Sequence, residues 1–271
     1  MTDYVKRMKE HLERYRDERL GVQEDGVHKS TGRPYPHILP EHLRWLNVHE
    51  PYRKEVRAHV DDPENNVSLH RDFHHLNSSQ AFAFNLFFPF FHDEFPKPLL
   101  EAMGLSGGAA DWQLERVPYR EEGTNVDACW RDARGQWTYC EVKLTESAFG
   151  AAKDDERHLE KYRDIYSEPL EPYWGSVDRD PKNFFRNYQI FRNLWLGAKE
   201  PQSTIVFLLP RASAKPWDAV HGIVGKMDVS LSRRVKVVAV EDVLDRLGAR
   251  SDLPQRLAMN VEQLREKYLP T

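Results

Sequence analysis

Acidic residues in the middle of two apolar, strand-like runs set the terms on which this chain can fold. Residues 124–131 read Thr-Asn-Val-Asp-Ala-Cys-Trp-Arg, and residues 136–145 read Gln-Trp-Thr-Tyr-Cys-Glu-Val-Lys-Leu-Thr. Asp132-Ala133-Arg134-Gly135 lies between them, and its turn chemistry joins the runs as a β-hairpin. Asp127 and Glu141 therefore sit on strands that expect burial, where an uncompensated carboxylate is costly. A divalent cation shared by two carboxylates compensates well, and oxygen ligands suit magnesium or manganese. Lys143 follows Glu141 by two residues and so points to the same face of its strand. These are the groups that phosphodiester hydrolysis needs. A metal polarises the phosphoryl group and lowers the pKa of a bound water, and a fixed ammonium meets the negative charge of the transition state.

The register of the hairpin decides whether such a centre can form. With Ala133-Arg134-Gly135 as a three-residue loop, the glycine takes the left-handed position of a bulged turn. Asp132 then pairs with Gln136. Stepping outward, Asp127 falls opposite Glu141 on a shared face, and Asn125 falls opposite Lys143. A two-residue loop would put the two acids on opposite faces and destroy the site. The same register pairs Cys129 with Tyr139 and turns Cys140 away, so these two cysteines are expected to be packed thiols and not a disulfide.

Around the hairpin the pattern is mixed. A strand is expected over 112–119, and the continuous apolar runs 203–209 and 235–240 suit fully buried strands. Helices are expected over 3–20 (with Val5, Met8, Leu12 and Tyr15 in one stripe), 98–103, 153–166, 182–198 (stopped near Gly197), 241–248 and 254–268. Residues 77–91 are apolar nearly all round and imply a buried helix, with Asn77 or Ser78 as its cap. Short helices, one near Glu41–Asn47, wrap residues 21–68. The order implies an α/β sandwich with a mixed sheet covered on both faces. Residues 1–75 are read as a helical and irregular extension packed on the core, and 76–271 as the main domain with its C-terminal helices.

The segment 181–199 carries Lys182, Arg186, Arg192 and Lys199 and no acid. On one continuous helix, Lys182, Arg186, Gln189 and Asn193 share a face, and Phe184, Tyr188, Phe191 and Trp195 form the opposite, inward one. Basic and amide groups so arranged suit phosphates, and Lys182, Arg186 and Gln189 are assigned to substrate binding. The competing reading is an ordinary amphipathic surface helix.

Three segments together resemble the PD-(D/E)XK nuclease superfamily, and more narrowly a bacterial group of restriction-endonuclease-like proteins. They are Leu76-Asn77-Ser78-Ser79-Gln80 with its apolar helix, the hairpin from Asp127 to Glu146, and Asn187-Tyr188-Gln189-Ile190-Phe191-Arg192-Asn193. The resemblance covers residues 76–210. It implies a restriction-endonuclease-like α/β/α sandwich, a central mixed sheet flanked by helices, and cleavage of DNA with Mg²⁺, Mn²⁺ being an alternative. It makes Asp127 and Glu141 metal ligands, with Val142 completing the metal set, and Lys143 the catalytic lysine. Gln189 matches a glutamine on the helix that follows the catalytic strands in related nucleases. The chain departs from the pattern at Val126, where proline precedes the first acid. It departs again at Ser78, Ser79 and Gln80, where many relatives carry a glutamate that would serve a second metal.

Other groups point less far. His70, His74 and His75 offer a metal pair at helical spacing without evident partner ligands. Glu115 is a candidate accessory acid, and Glu146 a cap for the turn after the hairpin. Two cysteines make no disulfide framework and fit a reducing cytoplasm. The charged N-terminal segment is neither a secretory signal nor a membrane anchor, and no apolar run reaches the length of a membrane span. A net charge of −4 disfavours a general nucleic-acid coat but allows a local basic groove. DNA is the expected partner, with RNA left open. A homodimer is also left open, since cutting both strands takes two active sites. The rival reading keeps this fold as an inactive module for nucleic-acid binding or assembly.

Overall fold

The computed structural model describes residues 2–270. Helix α1 (Asp3–Arg19) begins at Thr2, whose side chain accepts from the Val5 amide, and buries Tyr4, Met8, Leu12 and Tyr15. Helix α2 (Ser79–His92) begins at Ser78, whose hydroxyl accepts the Ala81 amide at 3.3 Å. Every residue from Gln80 to Phe91 is buried, as a helix apolar nearly all round requires.

Five strands form one sheet in chain order: β1 (Ala110–Arg116), β2 (Val126–Arg131), β3 (Trp137–Val142), β4 (Thr204–Leu209) and β5 (Val235–Ala239). The first three are antiparallel, and β4 and β5 join in parallel. The crossover from β3 to β4 carries α3 (Pro181–Arg186) and α4 (Tyr188–Lys199); α5 (Val240–Gly248) and α6 (Gln255–Tyr268) follow β5. Alternation along the strands feeds two apolar layers. Ala128, Trp130, Cys140, Val206 and Leu208 pack with α2, α5 and α6. Cys129, Tyr139, Ile205 and Phe207 pack with α3 and α4. This is the expected α/β sandwich with a mixed central sheet.

The hairpin has the register of the three-residue loop. Gly135 stands at φ +76°, and the Asp132 amide donates to the Gln136 carbonyl at 2.9 Å. Ala128 pairs with Cys140 and Cys129 with Tyr139, and both cysteines are free and buried.

Some expectations need correction. The helix expected over 182–198 is two helices, broken at Asn187 (φ −115°, ψ 31°). The Asn187 side chain bonds both the carbonyl and the side-chain oxygen of Asn183, each at 3.1 Å; short polar side chains compete in this way with a helix's own ladder. Nor does α4 stop at Gly197. It runs on to Lys199, and the glycine is there for closeness, because a Cβ would meet Leu231 at 2.9 Å. The segment read as one helix over 153–166 is an α-helix, Glu156–Lys161, that widens into a π turn at Tyr162–Tyr166. β2 starts at Val126 and β3 ends at Val142, so the strands are shorter than the apolar runs. None of the three histidines His70, His74 and His75 is on a helix: His70 lies outside any regular element, His74 in a turn, and His75 in an isolated bridge to Ile38.

A buried polar network ties the first part of the chain to the last. The Asn85 amide donates to the Asn47 carbonyl and to the Tyr268 hydroxyl, both at 3.0 Å. The Lys267 ammonium donates to the Asn47 carbonyl at 2.7 Å and to its side-chain oxygen at 2.6 Å.

Candidate active site

β3 delivers Glu141, and Lys143 just beyond its end, to a cleft of about 580 Å³. Asp127 enters from β2, Glu115 from β1, and Gln189 and Arg192 from α4. The start of α2 forms the opposite wall with Asn77, Ser78 and Ser79, joined by Lys9 of α1. The ladder between β2 and β3 stops at Ala128–Cys140. One step further, the Asp127 carboxylate accepts the Val142 amide at 2.6 Å. Side chain replaces main chain at this rung, and that fixes one carboxylate oxygen beside Glu141.

Glu141 is only 3 % exposed. Its Oε1 accepts from the Lys143 ammonium at 3.0 Å. Its Oε2 accepts from the Arg192 guanidinium at 2.7 Å and the Asn193 amide at 3.1 Å. Burial pushes its pKa upward, but the charges of Lys143 and Arg192 outweigh burial and hold it below the ordinary value. Lys143 and Arg192 in turn lie above theirs, with Glu141 overcoming the burial of each.

Asp127 behaves in the opposite sense. Burial, then the charge of Glu141, pushes it up to about 7. Glu115 is raised well above the usual carboxyl range by burial and by Asp127 and Glu141. It also sits at φ +55° within β1 and accepts from the Asn125 amide. The loop before Asn125 is pinned by Glu122, which accepts from the Tyr188 hydroxyl at 2.9 Å and the Lys161 ammonium at 3.1 Å.

The donor set suits a divalent cation. Asp127 and Glu115 resist ionisation first because they are buried, and then because negative charge stands close by, Glu141 beside Asp127 and both of these beside Glu115; a cation offsets that charge. The oxygens are hard donors, as magnesium prefers. No cage of three or more His, Cys, Asp and Glu side chains is present among the described residues. The candidate holders are thus Asp127 and Glu141, with the main chain of Val142. The Val142 side chain is fully buried in the α2 layer, so only its backbone could take part.

The structure brings Asp127, Glu141, Lys143 and Gln189 into one cleft. Gln189 also braces the loop after β3, its side-chain oxygen accepting the Gly150 amide at 2.7 Å. Lys182 and Arg186 are exposed on α3, before the break at Asn187, and are not among the residues that line the cleft. Asn193, placed by spacing on a substrate face, is fully buried against Glu141. Arg192 was legible as one positive charge among four and as part of the Asn187–Asn193 segment, but with no role; its contact with Glu141 depends on the phase of α4 after the break. Glu146 caps its turn, accepting the Leu144 and Thr145 amides at 2.7 and 2.9 Å.

Comparison with known proteins gives a family model described as "Restriction Endonuclease associating with ARP", which matches residues 9–269. No curated protein matches the chain, and no solved structure does. No helix among the described residues is long and apolar enough to cross a membrane.

Proposed function

The chain belongs to this restriction-endonuclease family, and we propose that it is a magnesium-dependent nuclease that hydrolyses phosphodiester bonds of DNA. The observation that carries this reading is the convergence of Asp127, Glu141 and Lys143 in one cleft, in the register that sets the two acids side by side. Asp127 and Glu141, with the Val142 main chain, would hold the cation. When bound, the cation supplies Lewis acidity toward a phosphoryl oxygen and an acidified water.

The chain's own residues do the rest. Asp127 gives up its proton, which burial and Glu141 make easy to retain in the free protein. Lys143 remains an ammonium and offers fixed positive charge to the phosphate as negative charge builds on it. Gln189 holds the loop at Gly150 against α4 and keeps that side of the cleft in shape. Lys182 and Arg186, outside the cleft, are proposed to meet phosphates further along the strand. Free, buried Cys129 and Cys140 suit a reducing, cytoplasmic setting. Double-strand cleavage would bring a second copy as a homodimer. The family description names an association with ARP, and ARP is a proposed partner on that ground.

The deciding experiment incubates the protein with plasmid, linear duplex, single strands and RNA, in Mg²⁺, Mn²⁺ or chelator. Duplex cleavage that requires the cation and vanishes in Glu141→Gln supports the proposal. RNA cleavage alone would move the substrate to RNA, and no cleavage of any substrate would leave the inactive-module reading in its place.

A further inference from the structure

One carboxylate faces two cations in the cleft. Glu141 accepts from Lys143 on Oε1 and from Arg192 on Oε2, and Asn193 adds a second donor to Oε2. Holding Glu141 in place needs no further cation, since Lys143 and Asn193 already engage both of its oxygens. Yet Arg192 is 4 % exposed, lines the cleft, and has its Nε buried with no partner. A guanidinium carries five N–H donors in a planar fork, and a buried donor without an acceptor costs free energy that a fold avoids unless something else supplies the acceptor.

Charge points to what that acceptor is. Were a divalent cation held by the Asp127 and Glu141 carboxylates, Lys143 and Arg192 would leave the centre net positive. A phosphodiester brings negative charge that offsets it, with the planar pair of oxygens a guanidinium fork fits best. Resting on the nuclease reading, we infer that Arg192 is a second phosphate-binding residue of the centre, which contacts the substrate phosphate from α4 while Lys143 contacts it from just beyond the end of β3.

A merely positioning role for Arg192 acts only through the charge of Glu141, so the test is made where that charge is gone. Fluorescence anisotropy of a labelled duplex oligonucleotide, in chelator and across a salt series, compares Glu141→Gln with Glu141→Gln/Arg192→Gln. If Arg192 contacts phosphate, the double variant binds about tenfold more weakly or worse, and its slope of log affinity against log salt falls by about 0.9. Equal affinity and equal slope in the two proteins would overturn the assignment and leave the nuclease reading standing. Thermal melts check folding, and where the glutamine variant melts below the assay temperature, Arg192→Met fills the buried volume and is read in the same way. A Glu141→Gln protein and a wild type that both fail to bind any duplex would overturn the assignment together with the reading beneath it.

Discussion

Arg192 and Glu141 are separated by 51 residues along the chain and by 2.7 Å in space. The contact joins the helix after the hairpin to the hairpin itself, so the conformation of Glu141 depends on α4 as much as on its own strand. Asp127 has no such support, held at one oxygen by the Val142 amide.

The first expectation is catalytic. Asp127→Asn, Glu141→Gln and Lys143→Ala each lower cleavage by about a hundredfold or more, as the loss of one charge-stabilising group does elsewhere. Plasmid nicking at fixed Mg²⁺ reads it. Near wild-type rates in any of the three, with the protein folded, would remove that residue from the centre.

The two acids part company in stability. Glu141→Gln leaves two buried cations short of their carboxylate and is expected to cost about 3–5 kcal/mol. Asp127→Asn does the reverse. The folded pKa of Asp127, about 7, stands above its ordinary value of 3.8, so its contribution is full below pH 3.8 and is lost as pH rises through 7. At pH 8 in chelator the Asp127→Asn protein should melt higher than wild type, whereas Mg²⁺ or Mn²⁺ should raise the melting temperature of wild type alone. Melting curves from pH 5 to 8, with and without cation, decide it.

Arg186 is exposed beyond the cleft. Its replacement by Ala is expected to leave the cation's effect on melting unchanged and to reduce the salt slope of duplex binding by about one phosphate's worth. An unchanged slope would make α3 an ordinary solvated surface.

Gly150 tests the brace on Gln189. A Cβ at that position would stand 3.0 Å from the Gln189 side chain, so Gly150→Ala forces one of them to shift. Cleavage should fall, with little change in melting temperature because the loop is exposed. Unaltered kinetics would show that Gln189 can move without consequence.

The hairpin's turn was legible because its parts are local, though where its strands end was not. Gly135 fixes the turn, the turn fixes the register, and the register places Asp127 beside Glu141. The apolar runs of β4 and β5 and the buried α2 were legible for the same reason, each carrying its burial in its own composition. What stayed hidden depends on joining distant elements. Asn187 offers the same residue type to a helix interior and to a helix break, and only the Asn183 contact chooses the break. That choice sets which faces of α4 meet β3, and so decides that Arg192 and Asn193 reach Glu141 while Arg186 does not. Glu115 was legible as an acid on the neighbouring strand, but its left-handed backbone was not.

The bond between Lys267 and Asn47 also bears on the order in which the fold can be assembled. α2, a wall of the cleft, shares Asn85 with Tyr268 of α6, 183 residues further along the chain. Until α6 docks, Asn85 lacks one acceptor and the Asn47 carbonyl one of its donors. The helix that walls the cleft therefore settles only when α6 does, and closing that long loop is a condition for a finished site.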